Sequence, residues 1–247
     1  PMGMLEQTAA QYRSLRMTAI AGELTELLAE AEAGEMSYLS FANRLSEYEL
    51  QKRQINRIQR NHRAAKFPVH KHLEGFDYRH QTTISKRQIN SLLDFQFIDE
   101  RQNLVFIGPP GVGKTHLAIG IGHKAVDAGY RVLFRTALEL VEELELAEMK
   151  GELKKKISQL SKYDLLIIDE LGYLPMTRQA RYNLFQLINS LYEYRSIILT
   201  TNKDFTCWGE FFHDDNVAVP IIDRIIHHSH IFMLGGESYR LKQKTMG

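Results

Sequence analysis

Gly108-Pro109-Pro110-Gly111-Val112-Gly113-Lys114-Thr115 is the stretch that decides how the chain is read. A glycine, a run of free positions and then Gly-Lys-Thr is the pattern of a phosphate-binding loop, met here without a mismatch. Its glycines allow a backbone turn tight enough to point successive N–H groups at one anion. The apolar run 103–107 before it reads as a buried strand. The segment 116–128 after it reads as a helix, whose N-terminus adds its positive end to the same place. Gly108, Gly111, Val112, Gly113, Lys114, Thr115 and His116 are the expected nucleotide-binding residues, with ATP and Mg2+ as cofactors. Lys114 supplies charge for the β- and γ-phosphates, and Thr115 a hydroxyl for the magnesium ion.

Working outward, a second apolar run, Leu165-Leu166-Ile167-Ile168, ends in Asp169-Glu170. Asp169 joins Thr115 as a magnesium ligand, and Glu170 stands where it can deprotonate an attacking water. Strands are expected at 104–107, 132–135, 165–169, 196–201 and 231–234, separated by helical patterns such as 177–194. That alternation specifies an α/β fold, a parallel sheet with helices on both faces and the loop at the carboxyl end of its strand. The fourth strand ends in Thr200-Thr201-Asn202. The amide of Asn202 can orient the water or sense the γ-phosphate, or it is simply a polar turn residue. Arg224 follows Asp223, so it either forms a local ion pair or acts as an arginine finger on a neighbouring subunit's γ-phosphate. Glu170, Asn202 and Arg224 are the expected catalytic residues.

The net charge of +1 conceals an uneven distribution: residues 1–50 carry −5, residues 51–90 carry +8 and residues 91–247 carry −2. The first part is helical in pattern. Over 5–32 the spacing buries Leu15, Ile20, Leu24, Leu27 and Leu28; a second helix runs from about 41 to 65 and stops before Pro68. A further helical segment, 85–101, leads into the first strand. These patterns give a helical N-terminal domain, 4–68, and an ATPase domain, 69–247.

Between Lys52 and His72 there is no acid. Lys52, Arg53, Arg57, Arg60, Arg63 and Lys66 make a basic flank suited to salt-sensitive phosphate contacts with DNA, with Ile55 and Ile58 turned to a core. The alternative is a face neutralised by the acids of residues 1–50. The single cysteine, Cys207, excludes an internal disulfide and a cysteine-rich zinc site, and the histidines 227, 228 and 230 lack the partners a metal site needs. No apolar run reaches the roughly 20 residues of a membrane span. A cytoplasmic protein without membrane attachment is expected.

The ordered set Gly108–Ala118, Ile167–Pro175, Thr200–Asn202, Ile221–Ser229 and Gly236–Leu241 resembles the IstB family, AAA+ ATPases that assist the transposases of bacterial insertion sequences and are close to DnaC-type helicase loaders. The resemblance covers essentially the whole chain. It implies a sheet of order 5-1-4-3-2. It also assigns Walker A roles to Lys114 and Thr115, Walker B roles to Asp169 and Glu170, sensor 1 to Asn202 and the arginine finger to Arg224. Too few residues follow the last strand for the helical lid that carries a second sensor in AAA+ proteins, which leaves Arg240 without an assigned role. By the same resemblance, Lys150, Lys154 and Lys155 lie where initiator-type relatives face DNA, although acids at 139–148 can neutralise them instead. The implied partners are double-stranded DNA, a cognate transposase and further copies of the chain, joined through ATP and a trans-acting Arg224. Three rivals stand beside this reading: a helicase loader, a P-loop kinase of small molecules and a DNA coat that does not hydrolyse ATP.

Overall fold

Five apolar runs become five strands: β1 (Asn103–Ile107), β2 (Val132–Thr136), β3 (Leu165–Leu171), β4 (Ser196–Thr201) and β5 (Ser229–Met233). In the computed structural model they form one parallel sheet of order β2-β3-β4-β1-β5, the expected order read from its other edge. The structure describes residues 3–80, 83–172, 175–203 and 215–235. Arg240 and Cys207 lie outside them, as does the segment where a lid would be sought. The chain divides into two compact units, residues 1–60 and 61–247.

In the second unit β1 and β4 are buried at every position. Strands covered on both faces read as continuous apolar runs, so these were legible where an alternating pattern would not have been. One face packs Val105, Leu166, Ile168 and Leu199 against α7 (Ala137–Met149), α8 (Leu153–Leu160), α9 (Arg178–Leu191) and α10 (Asp215–His227), through Leu140, Leu144, Leu187 and Ile225 among others. The other face takes α6 (Lys114–Asp127), which packs on β2, β3 and β4. Local chemistry sets the helix starts: Thr136 caps α7 in a capping box with Glu139, and Thr177 caps α9 by accepting from the Ala180 N–H. The expected helix over 85–101 is two short ones, α4 (Lys86–Ser91), capped by Ser85, and α5 (Gln96–Asp99); between them Phe95 takes a left-handed φ of 59°.

Residues 61–76 lie along the length of α6. His62 Nε2 meets Asp127 Oδ1 at 2.7 Å, and the Phe67 ring packs 4.3 Å from His123. A side chain at Gly122 would come within 2.8 Å of the Phe67 ring, so only glycine permits this approach. The short helical turn 73–75 also packs on α6. The histidines 62, 70 and 72 surround His123, which is 6% exposed with its Nε2 unpaired. Burial first, and then the neighbouring imidazoles, push its pKa down to about 4.

In the first unit α1 (Met4–Ser14) and α2 (Thr18–Ala33) replace the single expected pattern, with Arg16 at a φ of 60° in the break. Ile20, Leu24 and Leu27 are buried with Ala9 and Leu45, whereas Leu15 (64%) and Leu28 (37%) are exposed, which corrects that part of the expected core. The break rotates the helix phase, so spacing carried across it assigns the wrong face. The third helix, α3 (Tyr38–Ala65), starts where Ser37 Oγ accepts the Ser40 N–H at 3.1 Å. On α3, Ile55 is 47% exposed and does not face a core.

Candidate functional site

The loop 108–113 carries the chain from the carboxyl end of β1 into α6, with Gly111 at a φ of 85° and Gly113 at 99°. Gly113 is the N-cap of α6. A Cβ there would stand 2.4 Å from the Phe76 ring, so both its φ and its neighbour require glycine. Phe76 also meets His116 edge-on at 5.3 Å, and His116 Nε2 lies 2.7 Å from the His72 carbonyl. His116 therefore faces the 72–76 segment. Val112 is half-buried in the loop.

Lys114 is 5% exposed and donates to the carbonyls of Gly108 (2.7 Å) and Pro109 (2.8 Å). Burial lowers its pKa to about 8, against the charges of Asp169 and Glu170, which hold it up. A buried ammonium whose contacts are neutral carbonyls is chemically matched to an anion. Thr115 Oγ1 lies 2.9 and 3.0 Å from the two Asp169 oxygens and donates to the carboxylate. Asp169, 3% exposed, has its pKa raised by burial and lowered again by the Thr200 and Thr115 hydroxyls. Thr115 and Asp169 make an all-oxygen donor set, the kind that a hard divalent cation takes. Glu170 is exposed at the next position, its pKa raised by partial burial and by Asp169.

Asn202 follows β4 with its Oδ1 buried and unpaired, a polar atom with bonding capacity to spare. Arg224, on α10, donates through Nε to Asn189 Oδ1 at 2.7 Å, and its guanidinium lies 6.0 Å from the Phe185 ring centre and 5.4 Å from that of Tyr192. Among the described residues it makes no ion pair with Asp223.

Of the basic residues, Arg53 pairs with Glu49 at 3.3 Å, and Lys52 lies over the Tyr48 ring at 5.7 Å. Arg57, Arg60, Arg63 and Lys66 are exposed and make no ion pair among the described residues. Lys150, Lys154 and Lys155 are likewise exposed; the acid Glu143 is taken by Arg135 (2.6 Å) and Lys156 (3.2 Å). Two residues that sequence reading missed stand out at the site: Phe76, against the loop, and Thr200, whose hydroxyl donates to the Asp169 carboxylate and accepts the Glu170 N–H. Thr200 reads as one more β-branched strand residue, and Phe76 as part of a linker.

A phosphate loop after β1, a buried aspartate on β3 and the order β2-β3-β4-β1-β5 define an AAA+-type P-loop nucleotide-binding protein. Residues 10–247 match the family described as IstB-like ATP binding protein, and the chain belongs to that family. It is 41% identical over 243 residues to the protein named as the ATP-binding protein of insertion sequence IS5376 from Geobacillus stearothermophilus, covering 98% of this chain and 97% of that one. It is 41% identical to the corresponding protein of insertion sequence IS21 from Pseudomonas aeruginosa, over 93% of this chain and 87% of that one. Among solved structures the fold is similar to the DnaC helicase loader, with a TM-score of 0.53 and 21% identity over 71% of this chain and 98% of that one. Among the described residues no helix is long and apolar enough to cross a membrane, and no group of ligating side chains gathers as a metal site.

Proposed function

We propose that the chain is an ATP hydrolase that assembles on duplex DNA and assists a transposase in choosing and entering its target. The observation that carries the reading is the convergence of Lys114, Thr115, Asp169 and Glu170 at the ends of β1 and β3. ATP supplies the phosphoanhydride to be cleaved, and Mg2+ neutralises charge on its phosphates. Lys114 and the loop N–H groups bind the triphosphate. Thr115 Oγ1 and Asp169 hold the cation. Glu170, the exposed carboxylate beside them, takes a proton from water, and its raised pKa brings it closer to a working base. Asn202 offers its unpaired Oδ1 to orient that water.

Arg224 is proposed to act in trans, its guanidinium completing the site of the next copy, so that ATP joins subunits and hydrolysis loosens them. The aromatic rings and Asn189 that hold it prearrange the cation for that role. The exposed residues Lys52, Arg53, Arg57, Arg60, Arg63 and Lys66 are proposed to contact DNA phosphates, with Lys150, Lys154 and Lys155 as a second group. These roles divide between a helical DNA- and partner-binding region, 4–68, and an ATPase region, 69–247. The named relatives at 41% identity support a transposase as partner over a replicative helicase. A pull-down against both, together with affinities for single- and double-stranded DNA, tests this: capture of transposase and a duplex preference are expected. Capture of helicase with a single-strand preference overturns it.

A further inference from the structure

β3 and β4 pair in register to Ile168↔Leu199, and the next pair is Leu171↔Thr201. β3 therefore carries one residue more than β4 across this step, a bulge that holds Asp169 and Glu170. Glu170 takes a φ of 62°, left-handed for a residue with a side chain. A bulge leaves a ladder group without its strand partner. Here the Glu170 N–H donates to Thr200 Oγ1 at 2.8 Å, and the same hydroxyl donates its proton to Asp169 Oδ1. Beyond the bulge, Thr201 Oγ1 donates to the Leu171 carbonyl at 2.6 Å and accepts the Lys203 N–H at 3.1 Å. Thr200 is 0% exposed, so solvent cannot replace either of its bonds.

We propose that Thr200 is a positioning residue for hydrolysis. Its one hydroxyl fixes the direction of the Asp169 carboxylate and the backbone turn that presents Glu170, without itself contacting nucleotide. A hydroxyl has one proton to give and lone pairs to accept with, and this site uses both. Serine keeps that capacity. Valine keeps the shape and loses it, leaving the Glu170 N–H without its acceptor and Asp169 Oδ1 with the Thr115 hydroxyl alone. The inference rests on the roles given above to Asp169 and Glu170.

The test compares wild type, T200V, T200S and D169N in two measurements. One is steady-state hydrolysis with kcat and KM separated; the other is binding of a fluorescent ATP analogue, started in EDTA and titrated with Mg2+. For T200V kcat is expected to fall about 100-fold with KM nearly unchanged. Its binding in EDTA should match wild type while the Mg2+ midpoint rises about tenfold. T200S should restore both. A wild-type midpoint and kcat in T200V, equal loss of binding in EDTA, or failure of T200S to rescue would each overturn the proposal. D169N separates the two levels: if its Mg2+ response is also normal, the site reading fails, whereas loss there with a normal T200V removes only the role of Thr200. If T200V does not fold, T200A against T200S makes the same comparison. If alanine also fails to fold while serine folds normally, Thr200 serves the fold and the proposal is overturned.

Discussion

The nucleotide site and the basic helix α3 are built on opposite principles. At the site, Lys114, Asp169 and Thr200 are buried and each polar atom has a named partner within the second unit. On α3, Arg57 and Arg60 are exposed and carry charge without an ion-pair partner among the described residues. Buried polar groups are costly when misplaced, so such a site depends on atomic geometry. Solvated charges act through their number and spacing. Damage at the site should therefore be large and specific to one residue, and damage on α3 graded, additive and dependent on salt.

The largest expected effect is that of Lys114→Ala, which removes the buried cation of the loop: binding of a fluorescent ATP analogue should be lost, and ATP-dependent assembly with it. Arg224→Ala should keep nucleotide binding while lowering assembled, DNA-bound hydrolysis by about 10³-fold, the scale of a trans-acting arginine. Glu170→Gln should keep binding and assembly while lowering phosphate release by about 10²-fold. Full function in that variant would favour a DNA coat that does not hydrolyse ATP. On α3, the triple change Arg57→Ala, Arg60→Ala, Arg63→Ala should reduce the slope of log affinity against log salt by about 0.9 for each lost phosphate contact. Hydrolysis without DNA should be unaffected; an unchanged salt slope would place DNA elsewhere.

The smallest expected effect concerns stability. His123 keeps a pKa of about 4 in the fold against 6.5 when free, so the unfolded chain binds the proton first as pH falls. Stability should decline from about pH 7 and level off near pH 4, by about 2 kcal/mol at pH 5. The groups facing His123 are His62, His70 and His72, with Asp127 beyond His62. Thermal melting of His123→Phe should lose this part of the pH dependence; an unchanged profile would assign it to other groups.

The same contrast explains what could be read in the sequence. The central strands β1 and β4 were legible because burial on both faces leaves uninterrupted apolar runs, and 196–201 was placed to the residue. By contrast β5, half-buried or exposed along its length, starts at Ser229, two residues before the expected 231. The helical segments expected from 85 and from 177 begin on Ser85 and Thr177, the residues that cap α4 and α9. The packing of 61–76 along α6 was not legible, since an irregular segment with Pro68 and Gly75 has no period. Its signature was the run of small residues on α6, read only as helix. Nor was the break at Arg16, where one left-handed residue shifts the buried face and leaves Leu15 exposed. The motif named Asp169 and Glu170, but the hydroxyl of Thr200 that joins them depends on a bulge no local pattern marks.

Electron microscopy of the protein on duplex DNA, with ATP, ADP or no nucleotide, tests most directly whether the buried site governs the exposed charge. Ordered assemblies on DNA with ATP, absent with ADP or without nucleotide and absent in Lys114→Ala, are the expected result. The same assemblies in all three conditions, or none with ATP, would contradict the account.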